Sequence, residues 1–454
     1  FRMDWNTYQG GELEAWGEDL SSFRIRDGVR VEITDLKASL DEEGKQEYEE
    51  AGPDDRYMKE LFLTAELVEY EEMDGVMRCY STDDSRAIFI PGMPTTGAEP
   101  MVTLRGKNFY MRAKEIYVDR RRKVAHVIGR VRIVREPEKD PENDSRAARA
   151  LLKRETTIDT EEALYFWKER RIDVPVEVSM FKSDVRAVAG RASIDTKNDT
   201  AVLSGGVKIY QEKGDWLIED GVVKKDVSEK TKEALKERTS ISCENMEIDF
   251  ENDNLKVYGN VDAIQEKRRM KGEYASYDSL SETWTLSGGP RVEEGEYTVD
   301  AGQFVYYEGR GIVEATGGVR ALIGLKDEDR EDALEYFRER DRGNAPAAEM
   351  LKDRKVSVSA DRMEYDENED SQHAIGNAVM KYHDVTVYAD EIRVENEERI
   401  ARGSGRVRFE DPRNFASAEK FFMDIKNKIV ILEGNVFLKD RGRPADEETD
   451  EQEP

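Results

Sequence analysis

The sequence predicts an all-β protein whose long strands each bend once and form hairpin repeats of about 29 residues. Three observations predict this fold: glycine steps at a fixed spacing, a small residue a fixed distance before each step, and an apolar alternation that changes parity within the strands. Highly charged segments interrupt the repeat and predict helical insertions along one rim. A parallel β-helix with a 29-residue coil is the alternative fold.

The glycine steps set the period of the repeat. Two runs of glycines have a spacing of 29 residues: Gly259, Gly288 and Gly317, then Gly376, Gly405 and Gly434. A small residue lies 16 positions before each of these glycines, and before Gly129 and Gly205: Ala113, Ala189, Cys243, Gly272, Ala301, Ala360, Ala389 and Ala418. Similarity at a fixed period is typical of repeat architectures, and it is the strongest signal in this sequence.

The segment 355–383 illustrates one repeat. Val356, Val358 and Ala360 alternate with polar residues, which is the periodicity of a β-strand. Residues 366–370 have the composition of a turn, and a second strand follows up to Tyr382. Each repeat is therefore predicted to be a hairpin of two long strands.

The apolar alternation changes parity inside each strand. Val356 and Val358 share one parity, whereas Met363 and Tyr365 take the other. A slip of one residue turns every later side chain to the opposite face, so a bulge or sharp bend is needed to keep the apolar groups inside. Glycine suits such a corner, and the expected result is a two-layered sheet around an apolar interior. Alternatively, the glycine steps are ordinary turns between short strands.

Intervals that exceed the regular repeat predict insertions between the hairpins. Four segments carry many charges at i,i+4 spacing and are expected to be helical: 145–154, 161–171, 229–238 and 329–340. The expected organisation is N-terminal units over 1–135, a helical insertion over 136–182, central units over 183–324 with an insertion at 212–238, a helical insertion over 325–354, C-terminal units over 355–440 and a disordered acidic tail over 441–454.

The charge balance limits the classes of partner. The chain has 71 Lys and Arg against 100 Asp and Glu, a formal net charge of −29. Nucleic-acid binding requires a dominant basic surface, so we expect no nucleic-acid partner. No stretch of 18 apolar residues occurs, and no transmembrane segment is expected in this chain. Aromatic residues make up 9% of the chain, too many for a chain that buries nothing.

Residue patterns that carry chemistry are sparse. Cys79 and Cys243 are expected to be buried or free thiols, with a disulfide as the alternative. The three histidines lack the spacing of a zinc site, and the sequence contains no P-loop, dinucleotide fingerprint or nucleophile elbow. We therefore expect no metal, no cofactor and no enzymatic activity.

One basic segment departs from the acidic background. Eleven Lys and Arg residues and two acidic ones lie between Arg105 and Arg135. The densest part is Arg120, Arg121, Arg122 and Lys123. Either this is a turn with solvated charges, or the cluster contacts the phosphates of a lipid head group or an acidic patch of a partner.

The repeat resembles the OstA-like (LptA/LptC/LptD N-terminal) family of lipopolysaccharide transport. The pattern "ADxxxYD…GNVxL" carries the resemblance, in the segments 359–377, 388–405 and 417–438. The stretch 63–70 is similar to the LptC variant of the repeat. The resemblance implies a non-enzymatic, periplasmic β-jellyroll in a diderm bacterium, with lipid acyl chains in an apolar interior. It also implies end-to-end strand pairing with other jellyroll-containing transport components.

Lipopolysaccharide or a related lipid is thus the expected ligand. The predicted lipid-binding side chains are Met363, Tyr365, Ile392, Val394, Val407, Phe409, Phe421, Met423, Val436 and Leu438. The sequence leaves two alternatives open, a structural β-solenoid with a filled core and a partner-binding platform in the cell envelope.

Overall fold

A computed structural model describes the chain over these ranges: 2–3, 6–16, 22–34, 38–40, 46–48, 60–71, 76–80, 102–105, 109–119, 121–135, 156–182, 185–211, 238–250, 252, 254–265, 268–295, 297–307, 309–324, 355–382, 385–395, 400–411, 414–424 and 429–440. These residues form strands and turns and contain no helix. The predicted all-β class is confirmed. The chain divides into two compact units, unit 1 (Phe1–Lys225 and Ser240–Val257) and unit 2 (Asp226–Thr239 and Tyr258–Pro454).

Unit 1 contains the first eighteen strands: β1 (Arg2–Met3), β2 (Asn6–Gln9), β3 (Glu12–Trp16), β4 (Ser22–Thr34), β5 (Ala38–Leu40), β6 (Gln46–Tyr48), β7 (Glu60–Glu71), β8 (Val76–Tyr80), β9 (Val102–Arg105), β10 (Phe109–Ala113), β11 (Glu115–Asp119), β12 (Val124–Arg135), β13 (Thr156–Phe166), β14 (Arg171–Val174), β15 (Val178–Lys182), β16 (Val185–Ala189), β17 (Arg191–Asp195) and β18 (Thr200–Gln211). The division between the units passes through the next two strands, β19 (Thr239–Asp249) and β20 (Asn254–Gln265).

Unit 2 contains the remaining strands: β21 (Arg268–Asp278), β22 (Thr283–Ser287), β23 (Arg291–Glu294), β24 (Tyr297–Asp300), β25 (Gln303–Tyr307), β26 (Ile312–Gly324), β27 (Lys355–Asp366), β28 (Ser371–Tyr382), β29 (Val385–Glu395), β30 (Ile400–Glu410), β31 (Asn414–Asp424), β32 (Ile429–Glu433) and β33 (Phe437–Asp440). From β26 to β31 each strand pairs with the next one along the chain. The pairing is antiparallel throughout the described residues of this series, so the parallel β-helix alternative is wrong.

Six of the eight glycine steps are bulges inside continuous strands, whereas Gly288 and Gly434 lie between two short strands. Ile375 pairs with Glu391 and Ala378 pairs with Ala389, so β28 advances by one residue more than β29 across the step. Gly376 and Asn377 both have positive φ, 78° and 47°. The predicted bend is confirmed, and the alternative of turns between short strands is wrong for β26, β28 and β30.

An acidic side chain covers each of three such steps. A Cβ atom on Gly376, Gly405 or Gly434 would meet the side chain of Asp361, Asp390 or Glu419, respectively. These acids directly follow the small residue of the repeat. Asn377 donates a hydrogen bond from Nδ2 to Asp361 Oδ2 (2.9 Å), and Arg406 donates from Nε to Asp390 Oδ1 (2.8 Å). The recurring acid therefore closes the bulge by accepting hydrogen bonds from the residue after the glycine.

The helix predicted over 161–171, inside the helical insertion predicted over 136–182, is wrong, because the described residues 156–182 form strands and turns. Residues 161–166 belong to strand β13, and β14 begins at Arg171. Ala163, Tyr165 and Trp167 alternate along the chain and are 0%, 5% and 7% exposed. Burial of these side chains on one face favours a strand, whereas i,i+4 charge pairs stabilise a helix by only about 0.2–0.5 kcal/mol each. The predicted helices at 145–154 and 329–340, and all but the last residue of 229–238, lie outside the described residues.

The two cysteines are free thiols, as the sequence predicted. Both are buried, Cys79 completely and Cys243 to 6% exposure. Burial raises the pKa of Cys243 to about 11 and raises the pKa of Cys79 as well, because an apolar surrounding disfavours a thiolate. Both side chains act as core residues.

Replacing Gly405 by alanine is expected to lower the free energy of unfolding of unit 2 by about 2–3 kcal/mol. A residue with a Cβ atom at φ 72° loses about 1–2 kcal/mol of stability relative to glycine. The added Cβ atom would also displace the Asp390 carboxylate that Arg406 binds. Gly318→Ala is the matched control, because φ is 79° and no atom lies within 4 Å of its added Cβ. Urea unfolding should give a loss about 1 kcal/mol larger for Gly405→Ala. Equal losses would contradict a stabilising role for Asp390.

Candidate functional site: the interior face of unit 2

One cross-strand row of side chains marks the interior of unit 2. Directly opposed residues of antiparallel strands point to the same face of a sheet, so the register defines the row. The members of this central row are Ala275, Leu286, Phe304, Ala315, Met363, Ala374, Ile392, Gly403, Phe421 and Leu432. Ile392 and Phe421 are 2% and 3% exposed, which identifies this face as the buried one.

Two further rows lie on the same interior face. The rim row is displaced by two residues toward the hairpin turns: Tyr277, Trp284, Tyr306, Val313, Tyr365, Gln372, Val394, Ala401, Met423 and Val430. The far row lies beyond the glycine steps: Met270, Val292, Val299, Ala321, Val358, Met380, Val387, Phe409, Ala416 and Leu438. Phe409 of the far row meets Phe421 of the central row edge to face, with 5.4 Å between ring centroids. The bent strands therefore bring the rows together.

The interior combines small buried residues with larger residues that stay partly exposed. Ala360, Ala374, Ala378 and Ala401 are at most 6% exposed. Several larger apolar side chains pack against this buried cluster but are only partly buried: Val358, Met363, Met380, Val385, Val394, Phe409, Met423 and Leu432. An apolar side chain that is only partly buried beside fully buried neighbours presents apolar surface that a ligand can contact. The interior face of unit 2 therefore combines a buried apolar core with apolar surface that solvent can reach.

The interior of unit 1 differs from that of unit 2. Many of its large apolar side chains have no exposed surface at all, including Leu63, Met77, Leu104, Met111 and Ile116. Phe109 packs edge to face on Tyr165, and burial raises the pKa of Tyr165 to about 12. The described part of unit 1 thus has a core of large side chains that are fully buried.

The predicted lipid-binding residues fall on the three rows with two exceptions. Met363, Ile392 and Phe421 are in the central row; Tyr365, Val394 and Met423 are in the rim row; Phe409 and Leu438 are in the far row. Val407 lies opposite Ala418 beside the glycine step and is 1% exposed. Val436 lies between β32 and β33, outside the strands.

Two of the predicted lipid-binding residues are exposed, although the sequence predicted that they face the apolar interior. Val436 is 52% exposed and Leu438 is 71% exposed. Leu438 pairs with Ala416 through β31, and no strand after β33 lies in the described residues to cover its other side. The lipid contacts of all ten residues stay a prediction.

The basic cluster lies in a tight turn of unit 1. Residues 121–123 connect β11 to β12, and Asp119 Oδ1 accepts hydrogen bonds from the backbone N–H groups of Arg121 and Arg122, both at 2.9 Å. The Arg122 side chain is 84% exposed and lies 3.7 Å from Asp119 Oδ2. Arg120 lies outside the described residues. The turn geometry explains the local sequence, and contact with a head group or partner stays a prediction.

Within the described ranges, no group of three His, Cys, Asp or Glu side chains is arranged to hold a metal ion. The described part of the chain contains no helix with the length and apolar character that crossing a membrane requires.

Part of the chain is similar to a known protein family. Residues 240–400 match the family model described as "LptA/(LptD N-terminal domain) LPS transport protein", which covers about one third of the chain. The predicted OstA-like assignment is confirmed for this segment. The matched segment contains the members of the central and rim rows that lie on strands β21 to β29.

One solved structure similar to the chain is that of LptH from Pseudomonas aeruginosa, titled as the LptA homologous periplasmic component of the lipopolysaccharide transport device. The sequence identity is 10%, the TM-score is 0.24, and the match covers 32% of this chain and 93% of LptH. No curated protein sequence matches the chain.

Proposed function

With a lipopolysaccharide transport domain over 240–400 as the premise, we propose that unit 2 holds the acyl chains of lipopolysaccharide or a related lipid along its interior face. The observation that carries the proposal is the set of partly exposed apolar side chains on the same face as the buried alanines. The protein would act as a non-enzymatic bridge in the periplasm, where other jellyroll-containing transport components pair with its strand edges.

Hydrophobic burial supplies the affinity in this proposal. Each CH₂ group of an acyl chain that moves from water into the cleft contributes about 0.8 kcal/mol. Met363, Met380 and Met423 suit this task, because unbranched thioether side chains adapt to irregular apolar ligands. The proposal assigns no energy source for directional movement.

Unit 1 fits a structural role better than a lipid-binding one. Its described core is packed, with Met77, Leu104 and Met111 fully buried. The scaffold alternative is therefore assigned to unit 1 and the lipid cleft to unit 2.

Photo-crosslinking from two adjacent positions tests the cleft. A photoreactive amino acid replaces Val394, which packs against the buried interior cluster, or Arg393, whose side chain is 46% exposed on the opposite face of β29. With purified lipopolysaccharide, we expect an adduct from position 394 and none from 393. Both residues lie next to each other on the same strand, so the two variants differ in the face of the sheet that carries the photoreactive group.

A second interior position extends the test to another row. The same photoreactive group at Phe409 should also give a lipid adduct, because Phe409 is partly buried in the far row. Labelling at 393 alone, or equal labelling at 393 and 394, would overturn the proposed function.

A further inference from the structure

Four aromatic side chains lie in one half of the rim row. Tyr277 is opposite Trp284, and Trp284 is opposite Tyr306. Val313 separates Tyr306 from Tyr365 in the same row. The rings of Tyr277 and Trp284 have centroids 4.6 Å apart, and Trp284 is 37% exposed. The register therefore builds an accessible aromatic surface, here called the aromatic row, from four separate segments of the chain.

The far row has a different chemical character. Its ten members include one aromatic residue, Phe409, and otherwise valine, alanine, methionine and leucine. The aromatic row lies at the opposite side of the interior, next to the hairpin turns that follow β21, β25 and β27. The interior face thus changes from aliphatic to aromatic toward the turns.

Carboxylates hold two of the aromatic hydroxyl groups. Tyr365 donates to Asp370 Oδ1 at 2.9 Å, and Tyr306 donates to Glu367 Oε2 at 3.3 Å. These bonds fix the direction of both rings, with the apolar body on the interior face and the polar tip at the turns. Tyrosine and tryptophan rings of this kind suit a boundary that is apolar at one end and wet at the other.

The turns next to the aromatic row carry several carboxylates. Asp278 and Glu282 flank the turn between Tyr277 and Trp284, in addition to the carboxylates that bind the tyrosines. Arg310, a cation in the neighbouring turn, stacks on the ring of Tyr307. Carboxylates close to a ligand repel phosphate and accept hydrogen bonds from hydroxyl groups.

We propose that the aromatic row binds an uncharged sugar ring of a glycolipid at the point where its acyl chain enters the cleft. The flat rings of Trp284 and Tyr277 pack against the apolar face of the sugar, and the carboxylates at the turns accept its hydroxyl protons. This proposal rests on the proposed function, because the acyl chain occupies the interior face. It adds a second contact, which recognises the junction between chain and head group.

The test compares soluble probes that differ in the head group. Binding to the full chain is measured by titration calorimetry, below the critical micelle concentration, for n-dodecyl β-maltoside, dodecanoate, dodecyl phosphate and maltose. Trp284→Ala should weaken maltoside binding about three- to tenfold, the size of one aromatic stacking contact, and change dodecanoate binding by less than twofold. Dodecyl phosphate should bind no more tightly than dodecanoate.

Two variants control this experiment. Trp16→Ala removes another exposed tryptophan, 41% exposed in β3 of unit 1, and should change neither affinity. Trp284→Leu keeps apolar bulk without a flat ring, so it should weaken maltoside binding alone even where Trp284→Ala disturbs the fold.

The outcomes separate the two proposals. If dodecanoate binds but neither Trp284 variant changes the affinity for the maltoside, the sugar contact is overturned. The proposed binding of the acyl chain would then still stand. Equal loss for both probes would also overturn the sugar contact, because Trp284 would then contact only the chain. Maltose binding as tightly as the maltoside would indicate a free-saccharide site instead. Failure of every probe to bind would overturn the proposed function together with the sugar contact.

Discussion

Replacing Phe421 by alanine is expected to destabilise unit 2 by about 3–5 kcal/mol, the range for an aromatic residue removed from a core. Phe421 is 3% exposed and packs edge to face on Phe409. Its ring also fills the space above Gly403, the residue opposite it in the central row. The loss of ring contacts on both sides would leave a cavity that the rigid strand pairs cannot close.

Phe437→Ala provides the matched control for this prediction. Phe437 is 54% exposed in β33, so its removal should cost less than about 1 kcal/mol. Urea unfolding of both variants, followed by tyrosine and tryptophan fluorescence, measures the difference. Comparable losses would contradict the assignment of Phe421 to the core.

The contact between Phe421 and Gly403 also predicts a reversal of sign. A Cβ atom on Gly403 would overlap the Phe421 ring, so Gly403→Ala should destabilise the wild-type protein. In the Phe421→Ala background the same substitution fills part of the cavity and should recover stability. A double-mutant cycle measures this coupling, and an equal effect of Gly403→Ala in both backgrounds would contradict the packing described.

The bends were predictable because their sequence signal is local and repeated. Glycine accepts positive φ without steric cost, so Gly376 and Gly405 at the repeat spacing each indicate a bulge. The bulge in β4 has the same geometry, with Asp27 and Gly28 at φ 65° and 68°, but its glycine is second. The repeat pattern, with glycine in the first position, therefore does not include this bulge.

The strand at 156–166 was not predicted. The spacing of the charged residues from 161 onward indicated a helix, and this signal was given more weight than the apolar alternation typical of a strand. The alternation of Ala163, Tyr165 and Trp167 was the contrary signal. Surface charge pairs are weak compared with the burial of three side chains, so the period of the apolar residues decided the structure.

The aromatic row could not be predicted either, because it depends on the strand register. Tyr277, Trp284, Tyr306 and Tyr365 are spread over four hairpin strands, and only the pairing aligns them. The roles of Asp361 and Asp390 were missed for a related reason. Their position after a small residue was visible in the sequence, whereas their contact with a glycine 15 residues later required the hairpin.

Removing the carboxylate of Asp159 is expected to destabilise unit 1 by about 3–5 kcal/mol, the cost of breaking a buried ion pair from one side. Arg132 binds Asp159 through two bonds, Nε to Oδ1 at 2.7 Å and Nη2 to Oδ2 at 3.0 Å. The two side chains are 11% and 2% exposed. Asp159→Ala would leave a guanidinium with little access to water and without its carboxylate.

The same physics predicts that replacing both partners costs far less than replacing one. Arg132→Met with Asp159→Leu removes the desolvated charges together, and it should recover most of the stability lost in Asp159→Ala. Glu169→Ala is the exposed control: Glu169 is 2.9 Å from Arg171, with side-chain exposures of 53% and 42%, and its loss should cost at most about 1 kcal/mol. Thermal unfolding of the three variants distinguishes the cases. A double variant as unstable as Asp159→Ala would contradict this explanation. The attraction between Arg132 and Asp159 would then stabilise unit 1, and the loss in Asp159→Ala would not come from the unpaired charge of Arg132.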